Sequence, residues 1–211
     1  MRLTAITMIC TTLILMSSCN DEKKKDVETP QTVEKATSIK NANSGLLKQT
    51  ASYEKLFNRE GKGCDFVSIE IIAKALQLDK SLITQGNNNC NFYLNEADGK
   101  RTRFSFLVAP MGKNAISKEI KTAIENEENF GKDSLLSQYR ISETGDTYLS
   151  MHQNRMVRIY NEMAENAIII FYFIEAVPND SDIEIKKSLK KEALERSYSI
   201  ANYLLNTNKT L

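Results

Sequence analysis

The run Ala167-Ile168-Ile169-Ile170-Phe171-Tyr172-Phe173-Ile174 constrains this chain more than any other segment. It is apolar at nearly every position and rich in β-branched and aromatic side chains, as buried strands are. Such a strand sits centrally in a sheet and is covered on at least one face. The rest of the chain must then supply neighbouring strands, and helices to lie over them.

Neighbours are legible on both sides. Met156 to Tyr160 alternates Val157 and Ile159 against Arg158, and Tyr148 to Met151 is a short strand before it. Turns fall at Gln153-Asn154 and Glu165-Asn166. Upstream, Cys90 to Asn95 and Thr102 to Ala109 flank Ala97-Asp98-Gly99, a hairpin signal. Phe104, Phe106 and Val108 share one face of that return strand, with Leu107 on the other, and Pro110 and Gly112 end it. Four helices are expected. Leu47, Tyr53, Leu56 and Phe57 are spaced loosely for one helical face, broken by Gly61-Lys62-Gly63. Residues 69–78 pair Ile71 with Ala75 and Ile72 with Leu76, with Ser68 or Asp65 as the cap. Residues 115–129 turn Ile116, Ile120, Ala123 and Ile124 inward, and Gly131 stops them. Pro178 and Asp180 open a long helix to about residue 205, with Ile185, Leu189, Ala193, Tyr198, Ala201 and Leu204 on its buried side. Short turns make adjacent strands antiparallel. The fold expected is α+β, an antiparallel sheet of about five strands covered by helices.

The N-terminus carries an address. Arg2 precedes an apolar run from Ala5 to Met16, of secretory length and short for a bilayer span. Ser17 and Ser18 then precede Cys19. Small side chains fit a peptidase cleft, and a thiol is needed for a thioether to lipid. The order is similar to the lipobox of bacterial lipoproteins, with Met16 where leucine is commoner. That resemblance implies a signal peptide over residues 1–18, cleavage between Ser18 and Cys19, and lipid attached to Cys19. Two or more acyl chains on one residue suffice for stable anchoring. An ordinary signal peptide and an uncleaved anchor are the alternatives.

Residues 20–45 read as a tether. Asn20-Asp21-Glu22-Lys23-Lys24-Lys25-Asp26 is almost wholly charged, and the segment cannot bury enough apolar surface to order itself. As a flexible coil it spans roughly 30 Å. The charges after Cys19 resemble export signals to the outer cell surface, and serve equally as a solvated spacer. The domain occupies residues 46–211. The whole chain has 28 Lys+Arg and 27 Asp+Glu. Loss of residues 1–18 removes only Arg2, so the mature chain balances at zero and nucleic-acid binding has no electrostatic support. Cys64 and Cys90 remain in the domain. In an oxidising compartment two thiols pair most economically as one disulfide, and a free nucleophilic thiol is the competing reading.

Three places together are similar to a family. They are the Cys64-Asp65-Phe66 helix leading to a second cysteine at a strand start, the Gly145-Asp146-Thr147-Tyr148 corner before three strands, and the closing alanine-containing helix. They resemble small lipoproteins of unknown function whose domain is a PsbP/Mog1-type α/β/α sandwich. Phe92 matches the usual aromatic after the second cysteine; Thr147 replaces the usual alanine in the corner. The resemblance implies a Cys64–Cys90 pair, a fold and a compartment, and no catalytic residues.

No catalytic, cofactor-binding or metal residue stands out. His152 is the sole histidine, at an expected strand end, and no neighbour has zinc-ligand spacing. Glu125-Asn126-Glu127-Glu128 reads as a solvated helix face. Asp180-Ser181-Asp182-Ile183-Glu184 suits a helix start, where carboxylates cap amides, and it lacks the glycine and later glutamate of a calcium loop. Asp133-Ser134-Leu135 resembles a short O-glycosylation triplet. The expectation is a lipid-anchored envelope protein at the outer membrane, facing periplasm or exterior, acting as a non-catalytic binding or accessory module with a protein partner. An immunity or inhibitor lipoprotein is the first alternative, and an enzyme with a non-motif active site the second.

Overall fold

A computed structural model describes residues 47–59, 63–88, 90–131, 138–152, 155–177 and 182–210. The signal sequence, Cys19 and the tether lie outside them, as do Asp133-Ser134-Leu135 and Asp180. Elements run in the order α1 (Glu54–Phe57), α2 (Ile69–Leu76), β1 (Ile83–Gln85), β2 (Asn91–Asn95), β3 (Arg101–Pro110), α3 (Lys113–Phe130), β4 (Tyr139–Ile141), β5 (Tyr148–His152), β6 (Met156–Tyr160), β7 (Asn166–Ala176) and α4 (Ile183–Asn208). The strands form one antiparallel sheet ordered β1-β2-β3-β7-β6-β5-β4. The fold is α+β, and β7, the apolar run, is its middle strand.

The sheet has seven strands rather than about five. The additional two, β1 and β4, are three-residue edge strands, too short to show an alternation. A second difference is at the start. Leu47, Tyr53, Leu56 and Phe57 do not share a helical face: only the single turn α1 is helical, and Ser52 bridges to Thr210 in extended backbone. Leu47 packs under α3, while Tyr53, Leu56 and Phe57 enter the main core. The last helix starts later than Pro178 and ends later than residue 205. Its cap is Asp182, which accepts from Ile185 N at 2.7 Å. In the second helix Ser68 is the cap, accepting from Ile71 N at 3.3 Å.

Register explains which faces are covered. Phe104 lies opposite Phe92 and Tyr172, and Phe106 opposite Ile170. These side chains share one face and are buried beneath α2 and α4 with Ile72, Ala193, Ile200, Ala201 and Leu204. Each fully buried aromatic or aliphatic side chain contributes about 1.5–3 kcal/mol of transfer free energy. The described residues cover the opposite face only in part. α3 lays Ile116 and Ile120 on Tyr148, Tyr160 and Ala167, at one end of the sheet.

An ion-pair cluster ties the β2–β3 turn to α4. Arg196 donates to both oxygens of Glu96 at 2.9 Å and pairs with Glu192 at 2.5 Å. Lys100 reaches Glu96 at 3.0 Å and Glu192 at 3.2 Å. The bond from Arg196, reinforced by Lys100, outweighs partial burial and holds the Glu96 carboxyl below its ordinary value. Bidentate geometry and partial burial lift this pair above an ordinary surface bridge. Arg196→Ala is expected to lower unfolding free energy by about 1–2 kcal/mol, read by urea titration; no change would reduce the cluster to decoration.

Candidate functional site

Two regions offer more than packing, and both follow from how the strands end. The first is the pole where the chain enters the domain. Ser142-Glu143-Thr144-Gly145-Asp146-Thr147 turns β4 into β5, with Gly145 at φ 79°, a left-handed conformation glycine adopts freely. The turn carries Asp146 inward until it is 1% exposed. Its Oδ1 accepts from Tyr53 Oη at 2.7 Å, Thr144 Oγ1 at 2.8 Å and Thr147 Oγ1 at 3.2 Å. Its Oδ2 accepts from Thr50 Oγ1 at 2.8 Å and Thr50 N at 3.2 Å. Gln49 Nε2 donates to the Asp146 carbonyl at 2.9 Å, and Asn161 Nδ2 donates to Gln49 Oε1 at 2.9 Å.

Burial alone pushes the Asp146 carboxyl up, but the bonds from Tyr53, Thr50 and Thr144 outweigh it and hold it below its ordinary value. Burial, with Asp146 alongside, pushes the Tyr53 phenol up to about 12. A carboxylate whose lone pairs are so fully engaged is a pin. It has no free lone pair with which to take a proton from a substrate.

Beside this pin opens a cleft of about 910 Å³. One wall is Gln49 to Phe57, the segment pinned by Asp146. The other is the β6–β7 turn and the start of α3, with Met163, Glu165, Gly112 and Lys113. Met111 N and Gly112 N both donate to Glu165 O, which fixes that wall. Asn166, buried in the floor, donates to Phe57 O at 2.7 Å and ties the walls together. The lining mixes lysine, glutamate, amides and an exposed methionine, a surface for polar and apolar contact.

The second region is the part of the sheet beyond α3. Arg101 stacks over Tyr93 at 4.3 Å and Arg103 over Phe173 at 4.7 Å. Glu175 lies 3.1 Å from Arg103 Nε and 3.6 Å from Arg101 Nε. Phe171 and Phe173 are stacked and half-buried, and Leu107 is exposed. The two arginines share the single carboxylate of Glu175.

Cys64 and Cys90 are bonded, with an S–S distance of 2.02 Å. The bond fastens the segment before α2 to the start of β2. His152 is the last residue of β5, opposite Met156. Asp182 is a helix cap. Among the described residues no three His, Cys, Asp or Glu side chains gather as a metal site, and no helix is long and apolar enough to cross a membrane. Sequence reasoning singled out the corner at Asp146 without seeing its role. The available signal was an aspartate flanked by Ser142, Thr144 and Thr147. Its partners Thr50 and Tyr53 lie more than ninety positions away. No protein family, curated protein or solved structure matches the chain.

Proposed function

We propose that this protein is a lipid-anchored lipoprotein of the bacterial cell envelope, its domain a non-catalytic binding module. The Cys64–Cys90 disulfide carries the reading. Such bonds form and persist in oxidising compartments, which a chain reaches by export, and the apolar run before Cys19 is an export signal in form. Lipid on Cys19 and a spacer of roughly 30 Å would hold the domain close to the outer membrane. The non-catalytic assignment draws on the engaged state of Asp146, the most buried carboxylate among the described residues, and on the mixed lining of the cleft beside it. The finer fold assignment, a PsbP-type sandwich, draws on helices over both sheet faces and on a disulfide that ties an early helix to a strand.

The test is the mass of the mature protein, extracted from membranes. The expected species begins at Cys19 and carries lipid. Cys19→Ala should leave no lipidated product and move the domain out of the detergent-extracted membrane fraction. An unmodified N-terminus elsewhere would overturn the proposal.

A further inference from the structure

The core-facing stripe of α4 does not stop where the sheet stops. Ala193, Ser197, Ile200, Ala201, Leu204 and Leu205 form it, and all are buried. Followed toward the N-terminus at about 100° per residue, the same stripe runs on through Lys190, Lys187, Lys186 and Ile183. With Lys191, these lysines share an arc of about 140°, with Ile183 near its middle. All five side chains are exposed, Ile183 to 71%. Among the described residues, Glu192 is the first side chain of α4 to pair with another element, through Lys100 at 3.2 Å. The turns before it keep the direction of the stripe with its side chains exposed, a step beyond the buried part of the helix.

Folding does not account for this step. A stripe facing the core would be apolar, and a solvated overhang has no need to gather its cations on the inner side. Of the nearby carboxylates, Asp182 is taken by the cap and Glu184 by Lys187 at 2.7 Å. Lys186 and Lys190 have no ion-pair partner among the described residues, while Lys191 lies one turn from Glu195, which Arg140 binds at 2.6 Å. The step also lies at the opposite end of α4 from the first described residues. The entering chain bridges to the other end of α4, Ser52 N donating to Thr210 O at 2.8 Å. A helix of 26 residues spans about 39 Å.

We infer that this step docks an acidic polypeptide segment of a partner protein. Its carboxylates meet Lys186, Lys190 and Lys191, and an apolar side chain covers Ile183. Opposite charge sets register and speeds encounter, and the apolar contact at the centre slows release. A flat bilayer fits less well, because the lysines turn toward the side the domain itself occupies. The inference does not depend on lipid at Cys19.

The test uses the full mature chain in non-ionic detergent and a fluorescein-labelled peptide of ten glutamates bearing one central leucine. Fluorescence anisotropy should show saturable binding that weakens with salt. The pair Lys186→Glu and Lys190→Glu should weaken it about tenfold, and Ile183→Ser about threefold. The control pair Lys118→Glu and Lys121→Glu, on α3, should stay within about twofold. Both pairs lie on helix surfaces, and unchanged circular dichroism confirms that the fold persists. Equal loss in the two pairs would overturn the inference. So would preferential binding to vesicles of phosphatidylglycerol and phosphatidylcholine that the Lys186/Lys190 pair abolishes, which would assign the step to a lipid surface.

Discussion

Asp146→Ala is expected to destabilise the domain by about 3–5 kcal/mol, enough to shift the midpoint of a urea titration by more than 1 M. The size follows from what is left behind. Asp146 is 1% exposed and accepts from five donor atoms, and Tyr53, which supplies the shortest of these bonds, is 4% exposed. A hydrogen bond to a charged group contributes about 1.5–3 kcal/mol, and an unsatisfied buried donor costs a comparable amount. These terms do not add in full, because the emptied corner relaxes. Asp146→Asn keeps the volume but turns an amide donor toward other donors, so about half the loss is expected. Tyr53→Phe removes one donor and should cost about 1 kcal/mol. A loss under about 1 kcal/mol for Asp146→Ala would mean that the Gln49–Asn161 bonds hold the corner unaided.

The same site gives a pH signature of fixed sign. The folded state holds the Asp146 carboxyl below its ordinary value. Its contribution is therefore present above the unfolded value near pH 4 and is lost as pH falls through the lower folded value. Asp146→Asn should remove that part of the acid slope. At the alkaline end the folded Tyr53 phenol stands near 12 against an ordinary 10.0. That contribution is complete below about pH 10 and disappears as pH rises through about 12.

Local signals and tertiary ones divided differently between sequence and structure. The apolar run became β7 because continuous burial leaves a continuous pattern. Ser68 was legible as a cap because a hydroxyl three residues before a free amide is local chemistry. Edge strands β1 and β4 were not, since three residues with one paired side carry little hydrophobic pattern. Ile185 resembled a core residue by spacing and is 44% exposed, because helical period does not say how far a sheet extends beneath a helix. Leu47 was drawn toward a helix by three apolar residues downstream, yet extended backbone carries it to α3. The Asp146 corner lay beyond sequence reasoning for another reason. Its donors come from segments more than ninety positions apart, and nothing in a Thr-Ala-Ser-Tyr stretch announces that it will close over a carboxylate.

Replacing both bonded cysteines, Cys64→Ser with Cys90→Ser, should lower unfolding free energy by about 3 kcal/mol, from the loss of loop closure over a sequence separation of 26. The double variant avoids a stray thiol that either single change would leave. The loss should not be uniform. The closed loop contains α2 and β1, and β1 is held in the sheet only through β2. Its closing end sits among aromatics: Phe66 meets Phe106 at 6.2 Å and Phe92 meets Phe106 at 5.7 Å, both edge-on. Those contacts survive the substitution, so the central strands should keep their order while the early unit opens more readily. Amide hydrogen exchange resolves the two cases. Protection in α2 and β1 should fall by more than protection in β6 and β7, since local openings precede global ones where contacts are fewest. A uniform fall would mean that the bond acts only on the unfolded chain. A loss below about 1 kcal/mol would mean that aromatic packing closes the loop without help from the bond.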